Sequence, residues 1–112
     1  MRKYFGQIGK LKENKMKEYE RLHEAVWPEV LKTIQDCNIC NYSIFRNGNE
    51  VFAYFEYTGT DYEADMRRME QDETTQRWWT YTHPCFERYA VDSQSEFFHD
   101  MKQIFYFNKM QD

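Results

Sequence analysis

Apolar positions along this chain change their period several times, and each change marks an element. Residues 3–8 mix aromatic and β-branched side chains and stop at Gly9, which predicts a first strand. From Tyr19 onward the period lengthens. Tyr19, Leu22, His23, Val26, Trp27, Val30, Leu31 and Ile34 form one broad face of a helix, with charged residues opposite and Asn14 positioned to cap it. Pro28 has no N–H and its ring crowds the carbonyl of Glu24, so this helix is expected to kink or divide between His23 and Trp27.

Alternation returns at residues 39–45, where Ile39, Asn41, Ser43 and Phe45 form one set and Cys40, Tyr42 and Ile44 the other. Asn47-Gly48 is a strong hairpin signal. The returning strand, residues 51–57, sends Val51, Ala53, Phe55 and Tyr57 one way and Phe52, Tyr54 and Glu56 the other. Thr60-Asp61 opens a second helix over residues 62–69, and residues 71–81 continue as a further helical segment that ends near Pro84. A loop through Asp92-Ser93 leads to a last strand at residues 103–107.

The order strand, helix, strand, strand, helix, strand predicts an α+β fold. Its expected form is a ferredoxin-like sandwich, a four-stranded antiparallel sheet with helices on one face. Both sides of the hairpin carry aromatic bulk. The bare sheet face therefore needs a cover, and a homodimer through that open face is the simplest one.

The 112 residues suffice for one domain spanning 1–112, with a core that needs neither disulfides nor a structural metal. A hydrophobic content of 41% excludes disorder, and 19% aromatic residues is enough to line a concave or intersubunit surface as well as a core. The net charge of -4 is interspersed with no basic block, so nucleic acid is not an expected partner. The apolar run after Met1-Arg2-Lys3 is broken by Gln7 and Lys10, so no secretory segment or membrane span is expected. The 3 cysteines cannot all pair within the chain, which fits a reducing, cytoplasmic setting. Cys37 and Cys40 have C-x-x-C spacing but leave a helix and enter a strand, the reverse of a redox motif, and a zinc site lacks a second ligand pair.

The chemistry concentrates elsewhere. On a helix, Tyr19 and His23 lie one turn apart and about 40° apart in azimuth, so both face one cleft. An imidazole exchanges protons near neutral pH, with an ordinary pKa of about 6.5. The alternative is a satisfied core histidine within the apolar stripe. Asn41 and Tyr42 offer polar groups at the start of the neighbouring strand, while Trp78 and Trp79 offer flat surface for the C–H face of a sugar. Arg77 beside them reads equally as a cation–π or salt-bridge anchor. Asp61, Asp65, Asp72 and Glu73 read as caps and solvated helix faces, Met66 and Met69 as packing, and His83 and His99 as structural or exposed.

Taken together, Tyr19-x-x-x-His23, Val26-Trp27-Pro28-Glu29, Asn41-Tyr42-Ser43-Ile44 and Gln76-Arg77-Trp78-Trp79 resemble the L-rhamnose mutarotase family. Residues 103–107, Gln-Ile-Phe-Tyr-Phe, are similar to its closing strand. The resemblance implies a ferredoxin-like subunit in a dimeric α+β barrel that acts without cofactor or metal on the anomeric centre of L-rhamnose. It puts the family's proton-donating histidine on His23, its substrate-contacting tyrosines on Tyr19 and Tyr42, and its paired tryptophans on Trp78 and Trp79. Tyr19 is then expected to orient His23 or assist its proton transfer, and the base is left open, since water can serve. Cys40 stands where some relatives carry histidine, and the segment after the tryptophans is longer, which leaves the sugar preference open. Two other functions fit a similar scaffold: a small α+β barrel monooxygenase or haem-degrading enzyme, and a non-catalytic sugar-binding domain.

Overall fold

A computed structural model describes residues 2–93 and 95–108. Strand β1, Lys3–Leu11, is followed by a 3-10 turn, Glu13–Lys15, and helix α1, Met16–His23. Asn14 therefore lies inside the turn and does not cap α1; Lys15 occupies the cap position without a side-chain hydrogen bond. The predicted division at Pro28 is present. α1 ends at His23, the chain leaves helical geometry, and α2, Pro28–Asp36, restarts with Pro28 in its first turn, where its missing N–H costs nothing. The restart resets the helical phase, so Val30 is buried while Leu31, expected on the same face, is 53% exposed.

Strands β2, Ile39–Asn47, and β3, Glu50–Tyr57, form the predicted hairpin, with Gly48 at φ 61° in its turn. Then come α3, Tyr62–Glu70, capped by Asp61, and α4, Glu73–Thr82, capped by Asp72. A 3-10 turn, His83–Cys85, leads to two short strands, β4, Phe86–Glu87, and β5, His99–Met101. Among the described residues no helix is long and apolar enough to cross a membrane.

The sheet is antiparallel in the order β2-β3-β1-β4, with β5 also on β1, so it has five strands where four were predicted. The difference has a simple origin. β3 pairs along one edge of β1, while β4 meets Lys10 and Leu11 and β5 meets Gly6, Gln7 and Ile8 on the other. One edge position is thus shared by two segments, between which residues 88–93 and 95–98 carry no strand. The predicted last strand at 103–107 is not formed; those residues carry no strand and are exposed.

Hairpin register shifts between Cys40 and Ser43, because Asn41 and Tyr42 together oppose Phe55. Asn41 adopts φ 50° at this bulge. As a result Ile39 and Ile44, which strict alternation would send to opposite faces, both accompany the inward residues Tyr57 and Ala53. The helices cover that inward face. Two buried clusters form there, one around Leu11, Tyr19, Val51, Cys85 and Phe86 and the other around Ile39, Phe55 and Tyr57. Each fully buried apolar side chain contributes about 1.5–3 kcal/mol relative to exposure.

Candidate functional site

Between the two clusters, sheet and helices leave a cavity of about 480 Å³, within the range of small-ligand sites. α1 supplies Tyr19 and His23, β2 supplies Tyr42 and Ile44, and α4 supplies Trp78 and Trp79. Five of the six sequence-predicted site residues, Tyr19, His23, Tyr42, Trp78 and Trp79, therefore meet in one place. Asn41 does not join them. The bulge turns its side chain toward Glu56 on the other side of the sheet, where its amide donates to Oε1 at 3.1 Å.

His23 is held by its own helix. Its Nδ1 lies 2.8 Å from the carbonyl oxygen of Tyr19, and because a carbonyl only accepts, Nδ1 must carry the proton. That leaves Nε2 as the nitrogen available to a ligand. The Tyr19 ring packs on the imidazole with centroids 4.4 Å apart, and Trp78 meets it in an edge-to-face arrangement with centroids 5.6 Å apart. The side chain of Tyr19 thus flanks His23, while its backbone performs the orienting role expected of the phenol.

Tyr19 is 4% exposed, and burial raises its pKa well above the ordinary phenol value, with Tyr42 nearby adding to the rise. Tyr42 keeps 42% of its surface exposed through the bulge, yet its phenol is enclosed enough that burial raises its pKa as well. Both therefore present neutral O–H groups. Trp78 is buried between His23 and Trp27, meeting the latter edge-to-face with centroids 5.3 Å apart, whereas Trp79 is half-buried and stacks with His83 at a centroid distance of 5.2 Å.

Three contributors escape the sequence reading. Gln7 lies inward on β1 and donates to Asp100 Oδ1 at 2.7 Å. Tyr62 of α3 joins the wall, its phenol pushed up to about 12 mainly by burial. His83, expected to be structural or exposed, also lines the cavity. A signal for it existed: Trp79 and His83 repeat the four-residue aromatic–histidine spacing of Tyr19 and His23.

Among the other candidates, Asp61 and Asp72 accept backbone N–H groups as caps. Asp65 accepts from the hydroxyl of Tyr57 and the amide of Asn38. Cys37, Cys40 and Cys85 are free thiols, and burial pushes Cys85 upward in pKa. The described residues contain no group of three or more His, Cys, Asp or Glu arranged to hold a metal ion.

A family-wide sequence profile described as L-rhamnose mutarotase matches residues 4–107. An L-rhamnose mutarotase of Shouchella clausii is 30% identical over 99 residues, covering 88% of this chain and 92% of the relative. That of Bacillus subtilis is 30% identical over 94 residues, covering 84% and 88%. The crystal structure of an L-rhamnose mutarotase from Formosa agariphila superposes with a TM-score of 0.73 at 21% identity, over 95% of this chain and 99% of that one, a likeness of fold. With a match over nearly its whole length and relatives of the same description, the chain belongs to the L-rhamnose mutarotase family.

Proposed function

We propose that this protein is an isomerase that interconverts the α and β anomers of L-rhamnopyranose. The observation that carries the proposal is His23, oriented through Nδ1 by the Tyr19 carbonyl in an aromatic cavity of monosaccharide scale, in a chain of this family. With Nδ1–H kept on the Tyr19 carbonyl, His23 acts as acid in its doubly protonated form, the imidazolium delivering its Nε2 proton to the ring oxygen as the C1–O5 bond opens and the anomeric hydroxyl gives up its proton. The open aldehyde rotates and recloses, and the protons return. Tyr19 and Tyr42 supply hydroxyls to the sugar, and Trp78 and Trp79 supply apolar surface for its C–H face. Proton transfer of this kind accelerates by about 10²–10⁴-fold, and no cofactor is invoked.

Saturation-transfer NMR on L-rhamnose tests the activity. Exchange between anomers is expected to exceed the uncatalysed rate; a folded protein without acceleration between pH 6 and 8 would overturn the proposal. A panel of related sugars in the same assay sets the preference.

The strand order, with helices on one side, supports a ferredoxin-like domain over 1–112 that pairs into a dimeric α+β barrel. On the uncovered sheet face Phe45 is 62% and Phe52 38% exposed, which supports that face as the homodimer interface. Three free thiols accord with a cytoplasmic setting. Sedimentation of the wild type and of Phe45→Glu/Phe52→Glu tests the dimer: the wild type is expected at twice the chain mass and the double variant at one.

A further inference from the structure

We infer that His83 accepts the proton of the anomeric hydroxyl, in the cavity it shares with His23. The inference rests on the mutarotase reading of that cavity and supplies the base which that reading leaves open.

His83 begins the 3-10 turn at the end of α4, one helical turn beyond Trp79. Its ring lies nearly parallel to two apolar neighbours, Trp79 at 5.2 Å and 17° and Phe97 at 3.8 Å and 13°. Stacking of this kind occupies the faces of the imidazole and leaves the two in-plane nitrogens as its polar part. Neither nitrogen has a hydrogen-bond partner among the described residues, although His83 borders the same cavity as His23 and Tyr19. His83 is half-buried, so these nitrogens stay open to solvent or to a ligand in the cavity. The ring is clamped by its faces and offers its edge.

The environment also selects the protonation state. Burial lowers the pKa of His83, and no charged neighbour opposes the effect. From α4 and from residues 95–98 the groups against it are the rings of Trp79 and Phe97. The titratable groups that share the cavity are Tyr19 and His23 from α1, Tyr42 from β2, and Tyr62 and Glu70 from α3. Around neutral pH His83 is therefore an uncharged imidazole with a free lone pair, the form a general base requires.

The step balances. The O1–H proton passes to the lone pair of His83 and the O1–H electrons become the second C1–O1 bond. The C1–O5 pair moves onto O5, which takes the Nε2 proton of the His23 imidazolium, giving the open aldehyde, a neutral His23 and a protonated His83. After rotation, O5–H returns its proton to His23 as O5 attacks C1, and the carbonyl oxygen recovers a proton from His83. The product is the other anomer with both histidines as they began.

The test measures anomer exchange from pH 5 to 9 for wild type, His83→Gln and His83→Phe, with folding followed by circular dichroism. The phenyl ring of the second variant keeps the stack with Trp79 and Phe97 but has no lone pair. Both variants are expected to lose about 10²-fold in kcat/KM at neutral pH, to keep the native fold, and to lose the fall in rate that the wild type shows on acidification. The midpoint of that acid limb is expected to match the titration of the His83 Cε1–H resonance, below about 6.5. Wild-type rate and pH profile in His83→Phe would overturn the inference while leaving the mutarotase reading intact; a mismatch between the limb and the His83 titration would also overturn it. A folded wild type without acceleration would overturn both.

Discussion

The Nδ1 of His23 donates to the carbonyl oxygen of Tyr19 at 2.8 Å, so the imidazole proposed as the acid is aimed by the backbone one turn before it. This relationship separates what Tyr19 does through its main chain from what it does through its phenol. Removing the hydroxyl leaves the carbonyl and the ring contact in place. Removing the imidazole leaves no group to exchange the Nε2 proton.

His23→Ala is therefore expected to lower kcat by about 10²–10⁴-fold, the ordinary worth of a positioned acid. Tyr19→Phe is expected to lower kcat/KM by less than about 10-fold, mainly through KM, consistent with the loss of one sugar hydrogen bond worth about 0.5–1.5 kcal/mol. Steady-state anomer exchange in the two variants checks this. Equal losses of kcat would mean that the phenol takes part in proton transfer.

A second prediction concerns the bulge. Asn41 sits at φ 50° and turns its amide to Glu56, while Tyr42 beside it enters the cavity. Glycine accepts that conformation without strain, so Asn41→Gly is expected to leave KM for the sugar within about twofold, because the residue does not reach the cavity. Asn41→Val is expected to destabilise by about 1–2 kcal/mol, since a β-branched side chain is poorly tolerated in the left-handed region. Urea unfolding and KM measured on both variants decide the matter. A large rise in KM for Asn41→Gly would restore Asn41 to the substrate contacts.

Two glycines on β1 make a controlled pair. A Cβ at Gly9 would stand 2.8 Å from Cε1 of Phe86 and 3.3 Å from the carbonyl oxygen of Phe97, whereas at Gly6 the nearest atom, Cε1 of Phe52, is 3.5 Å away. Gly9 lies against Phe86, Phe97 and Phe98, so its missing side chain leaves room for these cavity-lining residues. Gly9→Ala is expected to cost about 1–3 kcal/mol by overpacking and to reduce activity by displacing Phe97 from His83. Gly6→Ala is expected to be within about 0.5 kcal/mol of wild type. Thermal unfolding of both variants checks the contrast.

Much of this arrangement is legible in the sequence because local chemistry decides it. Pro28 cannot continue α1 without losing a hydrogen bond, Gly48 accepts the turn conformation, and Asp61 caps α3 with its own carboxylate. The remainder depends on partners distant in sequence. Asn41 and Tyr42 look like ordinary alternating residues until both must face Phe55, and only the register with β3 creates the bulge. The aromatic composition of residues 103–107 reads as a strand, yet composition does not fix pairing: the ladder with β1 ends at Met101 opposite Gly6 and is not continued along residues 3–5. His83 sits before a proline in what reads as a turn; its stack requires Phe97, which lies beyond β4 in the chain.

Acid stability follows from Asp65. The hydroxyl of Tyr57 donates to its carboxylate at 2.5 Å and the amide of Asn38 at 3.0 Å, with Arg68 nearby, and these hold its pKa below the ordinary value, the Tyr57 bond most of all. In the unfolded chain the carboxyl returns to about 3.9. Above that pH both states are ionised and the folded state keeps the full benefit of its hydrogen bonds. As pH falls through 3.9 toward the lower folded value, the unfolded state binds the proton first, and stability declines until both states are protonated. Asp65→Asn is therefore expected to flatten the dependence of stability on pH below about 4. Tyr57→Phe is expected to flatten it partially, because Asn38 and Arg68 remain. Urea midpoints between pH 2.5 and 6 measure this, and an Asp65→Asn curve parallel to wild type across that window would assign the acid sensitivity to other carboxylates.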